Sequence, residues 1–230
     1  MDHHRDVTGG WLRPAVFGAM DGLVSNSALV AGVAGGSGAR HTVLVAGLAG
    51  LVAGAFSMAA GEYTSVASQS ELAQAEIEAE RRELAAHPGP EREELARIYM
   101  GRGVEPALAR EVAAQLSREP EQALEVHVRE ELGIDPGELP SPLVAAGSSF
   151  VSFALGAVVP VVPYLLGTGL LPSVIVTLCA LFLGGAVVAR VTARTWWYSG
   201  TRQLVLGGAA LGVTWLVGNA VGGALAGVTG

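Results

Sequence analysis

The 230-residue chain is half hydrophobic, holds 32 glycines and has a mean hydropathy of +0.45, which excludes an ordinary soluble domain and points to several membrane crossings. Its formal net charge of −7 includes 14 arginines and no lysine, and 17 of its 21 acids fall between Glu71 and Glu138, so the acidity belongs to one central segment and excludes nucleic acid as a partner. The lone cysteine, Cys179, excludes a disulfide framework and any cysteine-based zinc site; its apolar surroundings predict packing as a small hydrophobe.

Arg5 and Arg13 precede the first apolar run, which carries Asp21 and is too long for the core of a cleaved signal. Five segments are long and apolar enough to cross about 30 Å of hydrocarbon at 1.5 Å per residue. They lie at roughly 15–36, 42–66, 143–168, 170–189 and 204–228. The predicted fold is therefore an all-α membrane protein of five transmembrane helices with a helical insert between spans two and three. Its parts are an N-terminal tail with spans one and two (1–67), the insert (68–140), and spans three to five (141–230). Glycine pairs four residues apart, such as Gly18/Gly22, Gly32/Gly36, Gly50/Gly54 and Gly218/Gly222, predict close helix packing, chiefly within the chain. Pro160 and Pro163 predict a kink in span three.

No helix breaker separates span two from the stretch that follows, so that helix should continue into the insert as far as Ala86. The prolines and glycine of "HPGPE" at 87–91 then end it. Further helices are expected at about 91–100, 106–117 and 120–132, and "DPGELPSP" at 135–142 leads back to the membrane.

Arginine sets the expected topology. Arg5, Arg13, the eight arginines of the insert, and Arg190, Arg194 and Arg202 fall on one side, and only Arg40 on the other. That side reads as cytoplasmic, with the N-terminus and the insert inside and the C-terminus outside. Trp11, Trp196, Trp197 and Tyr198 form an interfacial aromatic belt on the same side. The arginine-only, Ala/Gly-rich composition suggests a prokaryotic plasma (inner) membrane.

Only two acids stand outside the insert and the N-terminal tail: Asp21 in span one and Glu62 in span two. An ionisable residue within a span is costly, and its default reading is functional. Met58 precedes Glu62 by four residues and shares its helix face. From the expected span ends, all three fall at a similar depth. Carboxylate oxygens beside a thioether suit a first-row divalent metal better than Ca²⁺ or Mg²⁺, with Ser25, Asn26 and Ser57 as further oxygen sources.

Beyond the membrane, Glu76, Glu80 and Glu83 line one face of the extended helix with no basic residue a turn further on. Like charges at this spacing are unfavourable unless a cation sits against them. Glu91 and Glu94 form a second cluster, and His127 and Glu131 a third. Oxygen-rich sites with one imidazole suit Fe²⁺ or Mn²⁺, and Zn²⁺ in the insert. Glu78 and Arg82, and Glu93 and Arg97, are spaced as ordinary ion pairs.

These motifs resemble the vacuolar iron transporter family. The resemblance is carried by "DGLVSNSALVAGVAGG" at 21–36, "GLAGLVAGAFSMAAGEYTSVASQSE" at 47–71 and "SPLVAAGSSFVSFALGAVVPVVPYLL" at 141–166. It implies a homodimer of five-span subunits with the path at their interface, and proton-coupled export of Fe²⁺, often also Mn²⁺, from the cytoplasm. It also implies a cytoplasmic metal-binding domain built on the extended second span. The family's membrane metal residues fall on Asp21 and Met58, with Glu62 in the "GE" that follows. Its soluble-domain glutamates fall on Glu80, Glu83, Glu91, Glu94 and Glu131. Two family methionines fall on His127 and Val128, where an imidazole replaces one thioether and the valine cannot ligate.

The expected function is export of Fe²⁺ or Mn²⁺ across a lipid bilayer by proton antiport, without a prosthetic group. The alternative is a membrane-anchored metal sensor or store without flux. An enzyme is disfavoured: no span contains a histidine and no Gly-x-Ser-x-Gly turn is present.

Overall fold

The computed structural model describes residues 10–191 and 194–229; Arg5, one of the arginines that orient the chain, lies outside them. Nine α-helices and one π turn make up the described secondary structure. They are α1 (Leu12–Ser37), α2 (Arg40–Ala86), α3 (Pro88–Gly101), α4 (Pro106–Leu116), α5 (Pro120–His127), the π turn Val128–Leu132, α6 (Pro142–Val158), α7 (Val162–Leu165), α8 (Leu170–Val191) and α9 (Trp196–Thr229). The chain divides into two compact units, one running through Thr64 and resuming at Pro142, the other spanning Ser65–Ser141.

Four helices of the first unit, α1, α2, α8 and α9, are long and apolar enough to cross a membrane. The expected third span differs from its prediction. Instead of one kinked helix over 143–168, the chain forms the 17-residue α6, a turn, and the four-residue α7. Pro163 has no N–H to donate and its ring clashes with the carbonyl one turn back, so the helix stops at Val158 rather than bending. Carbonyls of the irregular stretch that follows find donors outside a helix, as non-helical backbone in an apolar setting must. Ser173 donates its hydroxyl to Pro160 O at 2.6 Å, and Thr168 donates both its backbone N–H (3.0 Å) and its hydroxyl (2.6 Å) to Pro163 O. The Arg40 guanidinium caps the end of α7 through Tyr164 O (2.9 Å) and Leu165 O (3.3 Å).

Helix α1 is the hub of this unit, and its glycines serve two neighbours. A Cβ on Gly18 would lie 2.8 Å from the backbone oxygen of Ser149, and one on Gly22 would overlap that of Phe153, both on α6. Towards the other end, a Cβ on Gly35 would lie 2.6 Å from the Trp215 carbonyl and one on Gly36 3.0 Å from that of Gly218, both on α9. The glycine pairs therefore act within one chain as close-approach surfaces. Asn26 adds a polar clasp. Its side-chain amide donates to Gly47 O of α2 at 3.1 Å and to Ala157 O of α6 at 2.6 Å. Two small apolar clusters complete the packing: Val30, Val43, Val161 and Tyr164, and Ala55, Phe153 and Ala157. Cys179, expected to pack inside, is exposed on α8, as are many large apolar side chains that lipid would cover. Helix α9 begins at Trp196, about two turns before the expected span, because the polar "WWYSGTRQ" stretch is also helical.

In the second unit the core is small. Leu95, Ala96 and Ala113 are fully buried, with Tyr99, Met100, Leu116 and Val126 against them. Alanines bring the helices close, and larger residues such as Leu72 and Leu108 stay exposed. Helix α3 starts at Pro88, with only His87 between it and the end of α2, because proline in a first turn lacks only an N–H that would have no partner anyway.

Candidate metal centre

Three helices and the π turn of the second unit bring four of the sequence-nominated residues together. Glu80 comes from α2, Glu91 from the first turn of α3, His127 from the last residue of α5, and Glu131 from the π turn. One potential ligand atom from each lies within 4.8 Å of every other. His127 is fully buried and Glu80 nearly so, whereas Glu91 and Glu131 are more open to solvent. His127 Nδ1 is 2.9 Å from Glu131 Oε1 and 3.2 Å from Glu80 Oε1.

Ion pairs outside the cluster hold these elements in place. Arg81, next to Glu80, donates to Glu121 at 2.7 Å and so joins α2 to α5. Arg102 pairs with Glu130, the neighbour of Glu131, and the Tyr99 hydroxyl lies 3.5 Å from the same carboxylate. Arg129 bridges Glu125 (3.0 Å) and Asp135 (2.8 Å), tying the π turn to the linker. Asp135 is held below the usual carboxylate range by the Gly137 backbone N–H and by Arg129. A π turn is itself an uncommon winding, found most often at functional sites.

The electrostatics of the cluster are those of a site short of positive charge. Burial pushes the Glu80 carboxyl up to about 7, the Glu131 charge adds to the rise, and His127 partly offsets it. Glu91 is raised as well, first by burial and then by the charge of Glu94. Two buried atoms, Glu80 Oε1 and His127 Nε2, make no hydrogen bond, though most buried polar atoms find a partner. Three carboxylates around one imidazole form a donor set that a divalent first-row cation satisfies and a monovalent one does not.

The remaining nominated residues fall elsewhere. Glu76 and Glu83 are exposed on α2. Glu94 lies beside Arg97 at 3.6 Å, and Glu93 pairs with Arg110 at 3.1 Å rather than with Arg97. Glu78 pairs with Arg81, one residue short of the expected Arg82. In the first unit, Asp21 is half-buried on α1, Glu62 is half-buried on α2, and Met58 packs beside Ala55 and Phe153. None of the three side chains makes a hydrogen bond or ion pair with a described residue. Phe153 nonetheless relates them, since a Cβ on either Gly22, beside Asp21, or Gly54, one turn before Met58, would run into Phe153. Of the extra oxygen sources, Ser25 donates to the Asp21 carbonyl at 2.6 Å, and Asn26 is the clasp described above, with its Oδ1 buried and unpartnered. That clasp was not legible from spacing, since nothing in the local sequence marks which carbonyls an asparagine will reach.

The family model described as the VIT family matches residues 12–219. Similar proteins include the "Vacuolar iron transporter" of Acanthamoeba castellanii, 40% identical over 78% of this chain and 69% of that protein. "Vacuolar iron transporter 1" of Oryza sativa subsp. japonica is 32% identical over 95% of this chain and 90% of its own length. "Vacuolar iron transporter 1" of Arabidopsis thaliana is 31% identical over 80% and 77%. The match over nearly the whole chain makes it a member of the VIT family.

Proposed function

We propose that the chain is a multi-pass membrane transporter that moves a divalent transition metal, Fe²⁺ foremost and Mn²⁺ with it, out of the cytoplasm in exchange for protons. The observation that carries this reading is the convergence of Glu80, Glu91, His127 and Glu131 on one small volume, with the buried His127 Nε2 making no hydrogen bond. It agrees in chemistry with the iron transport that the relatives' names state. In this reading the segment 68–140 is a cytoplasmic domain that concentrates metal, and the rest of the chain forms five spans, with α6 and α7 together making the third. Metal passes Asp21, Met58 and Glu62, and protons from the far side neutralise the carboxylates and release it, because metal and proton compete for the same oxygens. Glu76, Glu83 and Glu94 extend the acidic approach and raise the local cation concentration. The working form is a homodimer. A plasma membrane was the expectation from composition; the relatives' names instead carry the word vacuolar, and export from the cytoplasm has the same sense in either membrane.

The test is metal flux into proteoliposomes under an imposed pH gradient, comparing Fe²⁺, Mn²⁺, Zn²⁺ and Co²⁺. Flux that depends on the gradient and is lost in Asp21→Ala supports the reading; unchanged flux in that variant rules out the membrane site. A sensor or store without flux is the second reading, favoured by the fact that the converged ligands lie in the Ser65–Ser141 unit. Metal binding to the whole protein with no flux under any gradient would establish it.

A further inference from the structure

The bundle carries a second polar feature that metal transport does not use. Arg13 of α1 and Arg202 and Gln203 of α9 line one groove together with Phe17 and Met20 of α1 and Gly185 of α8. The groove holds about 370 Å³. Three helices build it, so it belongs to the tertiary structure and not to one exposed turn. Its lining is mostly apolar, and the only charges it carries are cationic.

Among the described residues, neither guanidinium has a hydrogen-bond or ion-pair partner. Among the described residues of this unit the only acids are Asp21 and Glu62, and neither forms an ion pair with an arginine. Arg40 in the same unit, by contrast, is satisfied by two carbonyls. A guanidinium is always charged, and its planar fork matches the oxygens of a phosphate. Exposed aromatic residues stand near the same ends in sequence, Trp11 just before α1 and Trp196 and Trp197 opening α9. Such residues settle at the level of lipid headgroups. Basic pockets between membrane helices at that level recognise acidic headgroups.

We propose that this groove binds an anionic phospholipid, with its phosphodiester held by Arg13 and Arg202, the amide of Gln203 on a headgroup oxygen, and an acyl chain along Phe17 and Met20. The lipid would join α1 to α9 at an end where no described acid pairs with either cation.

The test is the thermal midpoint of the full-length protein in detergent, titrated separately with dioleoylphosphatidylglycerol, dioleoylphosphatidylcholine and inorganic phosphate. Phosphatidylglycerol should raise the midpoint to a plateau, and the other two should not. Arg13→Gln with Arg202→Gln should require about tenfold more phosphatidylglycerol for the same rise. Arg190→Gln, which removes a cation from a different groove, should leave the titration unchanged. The charge-keeping pair Arg13→Lys with Arg202→Lys should retain the preference and covers the case in which the glutamine pair fails to fold. Equal effects of phosphatidylcholine, reproduction by inorganic phosphate, or an equal loss in Arg190→Gln would each overturn the proposal.

Discussion

His127 Nδ1 lies 2.9 Å from Glu131 Oε1 across the junction between α5 and the π turn, and the fully buried imidazole thereby fixes the carboxylate that faces Glu80. Replacing His127 with alanine should remove a ligand and the group that orients another. Metal affinity of the whole protein, followed by calorimetry, should fall by at least about tenfold, the loss that even an outer-shell change can bring. His127→Met should keep more affinity for Fe²⁺ than His127→Ala, since a thioether also ligates.

The raised Glu80 carboxyl makes metal binding dependent on pH in a defined direction. Its folded value of about 7 lies above the ordinary 4.5, so the proton it holds stabilises the metal-free fold fully below about 4.5. That contribution is lost as pH rises through about 7. A divalent cation must displace this proton below about 7, so affinity should weaken as pH falls from there and should gain nothing further from this group above it. Calorimetry at pH 6 in buffers of different ionisation enthalpy should register proton release on binding, and Glu80→Gln should release fewer protons.

The contact between Gly22 and the Phe153 backbone leaves no room for a methyl group. Gly22→Ala should destabilise the bundle by about 1–3 kcal/mol, the usual cost of overpacking. Gly61→Ala is the matched control, because a Cβ there meets nothing within 4 Å. Thermal melting in detergent should separate the two variants by several degrees.

Asn26→Leu removes the donor that reaches Gly47 O and Ala157 O and leaves those carbonyls without that bond. A loss of about 1–3 kcal/mol is expected for a buried polar group left unmatched. Melting of the purified protein and proteolysis of α6 should both report it. Unchanged stability would mean that apolar packing alone holds the three helices.

Local signals were legible where chemistry is local. The missing breaker after Glu62 announced the continuous α2, the "HPGPE" stretch announced its end, and the four-residue step from His127 to Glu131 placed both on one face. The halt of α6 at Val158 differs from the expected kink, because whether a proline bends or stops a helix depends on which donors reach the carbonyls of the irregular stretch; here Ser173 serves Pro160 O and Thr168 serves Pro163 O. The meeting of Glu80, Glu91 and His127 depends on how three helices fold against each other around small alanines, which spacing within any one helix does not encode. Spacing named Glu80, Glu91 and His127 as members of three separate clusters, and only the folded arrangement brings them within 4.8 Å of one another.

Helix α1 meshes with α6 through Gly18 and Gly22 and with α9 through Gly35 and Gly36, backbone against backbone at each end. A helix geared to two neighbours in this way cannot slide or roll alone. Any rearrangement around Asp21 must therefore carry α1, α6 and α9 as one block, and the give must come from the joints at its margins.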